Sequence, residues 1–153
     1  MSFAQKITHI LGEDTVPNDP KDMDDFEPIL KMGLPIKAAD NVAIAGGLGI
    51  EDILSSLGIS KSTYVRKKRA YKSNHDDVAA KLELPESNNL FQIAYIMATA
   101  ENVFGDRAKA VHWLNQPNAA LQGRTPYSML DTIVGEKRVE ALLNSLAWGD
   151  PML

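Results

Sequence analysis

Apolar residues recur three or four positions apart along nearly the whole chain, and the strict alternation of a half-buried strand is scarce. The pattern predicts an all-α fold. A weakly amphipathic turn or two covers residues 3–11. The stretch "GEDTVPNDPKDMDDFEP" that follows, with three prolines and dense acid, reads as an exposed linker. A short helix over 24–32 should stop at Gly33, and Pro35 suits the first turn of the next helix, 35–45. Two more short helices are expected at 50–57 and from Ser60 to about Tyr71. Residues 72–84 carry no clear period and read as a partly helical connection. From Pro85 the pattern sharpens: Leu90, Ile93, Ala94, Met97, Ala100 and Phe104 mark one long helix ending at Gly105. Asp106 can cap a helix reaching Gln116, "PNAALQG" is a turn, and Thr125-Pro126 should open the next helix. A final helix carries Val139, Leu142, Leu143 and Leu146 on one stripe. This divides the chain into an N-terminal segment with its acidic linker (1–27), a first helical lobe (28–84) and a second (85–153), joined through the long central helix.

The helix over 50–57 ends at Leu57 and the next starts at Lys61, so a three-residue turn, 58–60, joins them; it includes Gly58, which turns the chain sharply without a Cβ penalty. Ser60 is a good N-cap for the second. Two short helices so joined form a helix-turn-helix, whose second helix enters a DNA major groove. That helix holds six Lys or Arg and no acid between Lys61 and Lys72. On a helical wheel Tyr64, Lys67 and Tyr71 share one side, and Ser62, Val65, Arg66 and Arg69 the other. The latter stripe would face base edges, where arginine can fork onto guanine. Lys61, Lys68 and the amide-rich helix start suit phosphates. The candidate DNA contacts are Ser60, Lys61, Ser62, Thr63, Arg66, Lys67, Lys68 and Arg69.

Composition qualifies this picture only in part. The chain has 153 residues and a formal charge of −4. The first 27 residues hold seven acids against Lys6 and Lys21, whereas residues 28–100 are net basic. Screening over about 8 Å at physiological salt lets a ligand feel the local patch rather than the total, so a polyanion partner is compatible with an acidic chain. There is no cysteine, hence no disulfide or thiolate metal site. With no long apolar run and no signal-like N-terminus, the sequence points to a cytoplasmic protein without a membrane span.

Catalytic signatures are missing. His9, His75 and His112 share no metal-ligand spacing, "GGLG" lacks the ending of a phosphate-binding loop, and "DMDD" is not completed as a calcium loop. No catalytic residue, metal ligand or cofactor is expected.

Several landmarks then come together. "GLP" at 33–35, "LGIS" at 57–60 with "TYVRKK" after it, and "LPES" at 84–87 precede a C-terminal string containing Trp113-Leu114, Pro117-Asn118, Gly123, Thr125-Pro126, Leu130, Gly135, Val139, Leu146 and Gly149. Over about four fifths of its length the chain resembles the Xre/MbcA/ParS antitoxins, and the last string resembles their toxin-binding domain. Leu54 stands where such turns usually keep a small residue; Gln122 replaces a common glycine and Tyr127 a common leucine. The segment between Tyr71 and Leu84 is longer than the pattern.

The resemblance implies a type II antitoxin that pairs a DNA-binding lobe with a lobe neutralising a RES-domain toxin. Such toxins resemble ADP-ribosyltransferases and act on NAD, so the toxin performs the chemistry. A single small reader covers few base pairs, so specific operator binding should use a homodimer, here within a larger toxin–antitoxin complex. Trp113, Leu114, Leu130, Val139 and Leu142 read as core, and Gly123, Pro126 and Gly135 as backbone punctuation. Candidate toxin contacts are the tail residues Trp148, Gly149, Asp150, Pro151, Met152 and Leu153, with Asn118 and Arg124 assisting. A solitary transcription regulator, whose second lobe only dimerises, and a toxin-blocker without DNA binding remain alternatives.

Overall fold

A computed structural model describes residues 1–149; the tail residues Asp150, Pro151, Met152 and Leu153 lie outside the described part. Among the described residues eight helices follow one another: α1 (Phe3–Leu11), α2 (Phe26–Met32), α3 (Lys37–Ala45), α4 (Ile50–Leu57), α5 (Lys61–Ser73), α6 (Leu84–Phe104), α7 (Arg107–Leu114) and α8 (Ile133–Ala147). Three single 3₁₀ turns lie between them, at Val78–Ala80, Ala119–Leu121 and Tyr127–Met129. Among the described residues the only extended pairing is one antiparallel bridge, Pro35 with Lys81. The fold is all-α. It divides into two compact units, Met1–Ala94 and Tyr95–Leu153, and the division falls inside α6.

The first unit takes in the N-terminal helix. Ser2 and Gln5 close a reciprocal capping box at the start of α1, with bonds of 3.1 and 2.7 Å. Ala4, Ile7, Ile10 and Leu11 are buried, and α1 packs on α3, which offers the small residues Ala38, Ala39 and Ala43. Nine residues form a marginal helix in isolation. Burial of three large aliphatic side chains at about 1.5–3 kcal/mol each makes this one a core element rather than a loose turn. The Asn41 side-chain amide ties it down by donating to the Leu11 carbonyl at 2.9 Å.

The acidic stretch after α1 is only partly the exposed linker expected from its composition. All seven carboxylates of residues 13–27 face solvent, but Thr15, Val16 and Pro20 are buried. Thr15 donates to the Leu11 carbonyl at 2.8 Å, which fixes the turn directly after α1. Further on, Phe26 sets its ring 5.0 Å from that of Phe91 on α6. The indistinct segment before α6 also has a definite role. After the Asp77-capped turn at Val78–Ala80, Leu82 N–H donates to the Leu34 carbonyl and Ile36 N–H to that of Ala80, both at 2.8 Å. One bridge leaves no period-2 signature to read. Ser87 completes the join by accepting from Leu34 N–H at 3.0 Å.

In the second unit Asp106 caps α7 through Lys109 N–H at 2.7 Å. Residues 118–124 close a tight loop: Asn118 N–H donates to the Arg124 carbonyl, and Gly123 N–H returns to that of Asn118. The expected helix at Thr125-Pro126 is only the single turn Tyr127–Met129. The extended backbone of Thr132 interrupts it, and the Thr132 hydroxyl caps α8 by accepting from Gly135 N–H at 3.0 Å. Val139, Leu142 and Leu143 are the buried ridge of α8.

Candidate functional site

α4 ends at Gly58, in the left-handed region at φ 70°, and Ile59 N–H returns to the Leu54 carbonyl at 2.9 Å. Leu54 is itself buried beside Ile53 and Leu57. Ser60 then caps α5 by accepting from Thr63 N–H at 3.2 Å, and its hydroxyl also bonds those of Ser62 and Thr63. The local sequence therefore sets both the turn and the entry angle of α5.

The outward face of α5 carries Lys61, Ser62, Val65, Arg66, Arg69 and Lys72, all exposed. Four of these are cations, and none has an ion pair or side-chain hydrogen bond among the described residues. The sequence-predicted contacts Lys61, Ser62, Arg66 and Arg69 thus lie together. Ser60 and Thr63 serve the helix start.

Lys67 and Lys68 do not join that face. The Lys67 ammonium donates to the Lys81 carbonyl at 2.7 Å, and Lys68 pairs with Asp40 of α3. Asp40 also accepts from the Tyr64 hydroxyl at 2.6 Å. Burial, and then this bond to a carboxylate, push the Tyr64 phenol well above its ordinary range. Six cations in twelve residues exceed what one helix face can hold, and the surplus is absorbed by partners distant in sequence. The run's composition gave no means of sorting them.

On the second unit several large apolar groups are left open. Ile133 and Val134, at the start of α8, are 72% and 80% exposed, and Trp148, just past its end, is 89% exposed. An apolar-floored recess of about 590 Å³ is lined by Phe104, Ala108, Lys109, His112, Trp113 and Gln116. Trp113, expected in the core, is half-buried at its edge, its ring 5.5 Å from Phe104. Of the predicted toxin contacts, Arg124 and Gly149 are exposed, whereas Asn118 is half-buried and uses its side-chain oxygen to accept from Ala120 N–H at 2.9 Å. Ile133 and Val134 escaped the sequence reading; two adjacent β-branched residues directly after an N-cap, off the buried stripe, were the available signal.

Glu136 stands apart, an acidic residue only 9% exposed on the first turn of α8. Burial, followed by the charge of Glu140 one turn along, raises its pKa against a smaller opposing effect of Lys137. The folded state therefore holds this proton to a higher pH than the unfolded chain, and stability falls as pH rises from the ordinary carboxyl range toward neutrality. Glu136→Gln should raise the melting temperature by a few degrees near pH 7 and leave it unchanged at about pH 4. Thermal melts of both proteins at the two pH values check this.

A helix-turn-helix with an outward cationic face, followed by a helical unit presenting large apolar groups, defines a two-part binding protein. Residues 27–83 match the antitoxin Xre-like helix-turn-helix domain, and residues 99–149 the antitoxin Xre/MbcA/ParS C-terminal toxin-binding domain. A relative from Photorhabdus laumondii named antitoxin Xre is 31% identical over 122 residues, 79% of this chain and 77% of that protein. Another of that name, from Yersinia enterocolitica, is 27% identical over 121 residues, 78% of this chain and 76% of that protein. A third, from Pseudomonas putida, is 44% identical over 68 residues, 44% of this chain; there the chain spans 43% of its relative's length. This chain belongs to the Xre family of antitoxins. No helix among the described residues is long and apolar enough to cross a membrane.

Proposed function

We propose that the chain neutralises a partner toxin through its second unit and represses its own operon by binding operator DNA through α5. The observation that carries this is the presence in one chain of an unpaired cationic face on a helix-turn-helix and of a toxin-binding domain with uncovered apolar groups. The toxin is a RES-domain, NAD-degrading enzyme of ADP-ribosyltransferase type, as the family resemblance implies, and acts in the same cytoplasm. All chemistry then belongs to the toxin, and this chain is an inhibitor without a cofactor. Trp148 is the anchor: an exposed indole beyond a helix end gains most by entering a cleft. With Gly149, Asp150, Pro151, Met152 and Leu153 it plugs the entrance to the toxin's NAD pocket, and Arg124 at the 118–124 loop assists. A single reader of this size covers few base pairs, so operator binding uses a homodimer spanning two half-sites, within a larger complex with the toxin. A solitary regulator has no need of a toxin-binding domain.

Co-expression with the product of the adjacent gene tests the reading. The two proteins should co-purify, and removing residues 148–153 should weaken the complex about tenfold or more, the scale of losing a central aromatic anchor. Full inhibition by the shortened chain would exclude the plug. Failure of the full chain to capture the neighbour would exclude the antitoxin role itself.

A further inference from the structure

DNA-binding helices are commonly fixed by an apolar inner face, and that of α5 is sparse. Tyr71 is its only buried side chain. Beside that packing stands a polar clamp. Asp40, on α3, holds Tyr64 with one carboxylate oxygen and Lys68 with the other. Tyr64 and Lys68 are four residues apart, one above the other on the inner side of the helix. A single carboxylate thus grips two successive turns, and the Asp40 side chain is only 15% exposed. Beside it, Lys67 is anchored on the Lys81 carbonyl, next to the Pro35–Lys81 bridge.

Two consequences follow from this geometry. A roll of α5 by about 20° would shift its perimeter by about 2 Å, enough to break a base-edge hydrogen bond. The carboxylate and its two partners resist that roll together with the Lys67–Lys81 bond and the buried Tyr71, and of these only the carboxylate grips two successive turns. Lys68, moreover, is neutralised from within and has no charge to spare for a phosphate.

On the basis of the DNA-binding reading above, we infer that Asp40 is a positioning residue for operator recognition: it sets the roll of α5 without touching DNA and withholds Lys68 from the phosphate backbone. Specificity then depends on a side chain two helices away from the groove. Loosening the clamp trades specific for non-specific affinity, because a released Lys68 adds one sequence-independent contact while the arginines lose their aim.

The test uses the full chain and two duplexes of equal length, one from immediately upstream of its own gene and one of random sequence. Asp40→Asn should lower the ratio of specific to random affinity about tenfold, with random binding unchanged or tighter. Lys68→Met should keep the wild-type slope of log affinity against log salt, whereas Lys61→Met, the phosphate control, should flatten it by about 0.9. A Lys68→Met slope that falls like that of Lys61→Met, or an Asp40→Asn ratio equal to wild type, overturns the inference. Amide hydrogen exchange of the free protein provides a DNA-independent arm. Asp40→Asn should speed exchange in α5 relative to α1, and equal protection rejects the clamp. A wild-type chain with no preference for the upstream duplex rejects the operator reading instead, leaving the clamp to be judged by exchange.

Discussion

Replacing Arg66 or Arg69 with alanine lowers affinity for the upstream duplex about tenfold to a hundredfold each, the scale of about 1–3 kcal/mol for an arginine forked onto guanine. The same changes leave folding untouched. Both side chains are exposed and bond no other described residue, and surface substitutions of this kind stay within about 0.5 kcal/mol. Binding and stability thus separate cleanly at these positions. The loss should fall mainly on the specific duplex, because a base-edge contact discriminates where a phosphate contact does not. Lys72→Ala, on the same face but at the far end of α5, should instead weaken both duplexes alike. Gel-shift titrations across a salt series distinguish the two patterns. Equal loss on random DNA from Arg66→Ala and Arg69→Ala would make them phosphate contacts and move base recognition elsewhere on the helix.

The contrast between Arg66 and its neighbours Lys67 and Lys68 shows how far the sequence could be read. Local signals were reliable: Gly58, Ser60 and the apolar spacing placed α4 and α5 almost to the residue, because caps and glycine turns act within four positions. The wheel correctly grouped Ser62, Val65, Arg66 and Arg69 as the outer stripe. It also placed Lys67 beside Tyr64 and Tyr71, yet charge alone kept Lys67 and Lys68 among the DNA contacts. The partners that turn them inward, Asp40 and the Lys81 carbonyl, are 28 and 14 residues away and belong to other elements. Pairings of that range leave no periodic trace in one sequence. The same limit explains the 72–84 connection, whose capped turn at 78–80 is held in place by backbone bonds to Leu34 and Ile36, whereas α1 carried local signals, the Ser2/Gln5 cap and the Ile7, Ile10, Leu11 face, that outweigh its short length. In the second unit the exposed Trp148 was legible as an apolar residue past a helix stop, whereas Trp113 was not, since a half-buried indole and a core indole share one spacing.

Gly135 and Gly123 looked alike in the sequence, both as backbone punctuation, and the structure separates them by the size of effect expected on substitution. Gly123 has a left-handed backbone at φ 82°, with nothing within 4 Å of where a Cβ would sit. Gly123→Ala should therefore cost only about 1 kcal/mol, from backbone conformation alone. Gly135 has ordinary helical geometry but no room: an added Cβ would lie 2.1 Å from the Met129 carbonyl oxygen and 3.0 Å from the Thr132 hydroxyl that caps α8. Both obstacles are fixed, one a backbone atom of the preceding turn and the other the cap itself. Gly135→Ala must push the start of α8 off that turn, carrying Ile133, Val134 and the cap with it. Overpacking against backbone together with loss of a helix cap amounts to about 3 kcal/mol or more, a large share of the stability of any unit this small. The variant should lose helical signal on mild heating and fail to co-purify with its toxin, while Gly123→Ala keeps both. Retention of the complex by Gly135→Ala would mean that the toxin does not require the native start of α8, and would remove Ile133 and Val134 from the contact surface.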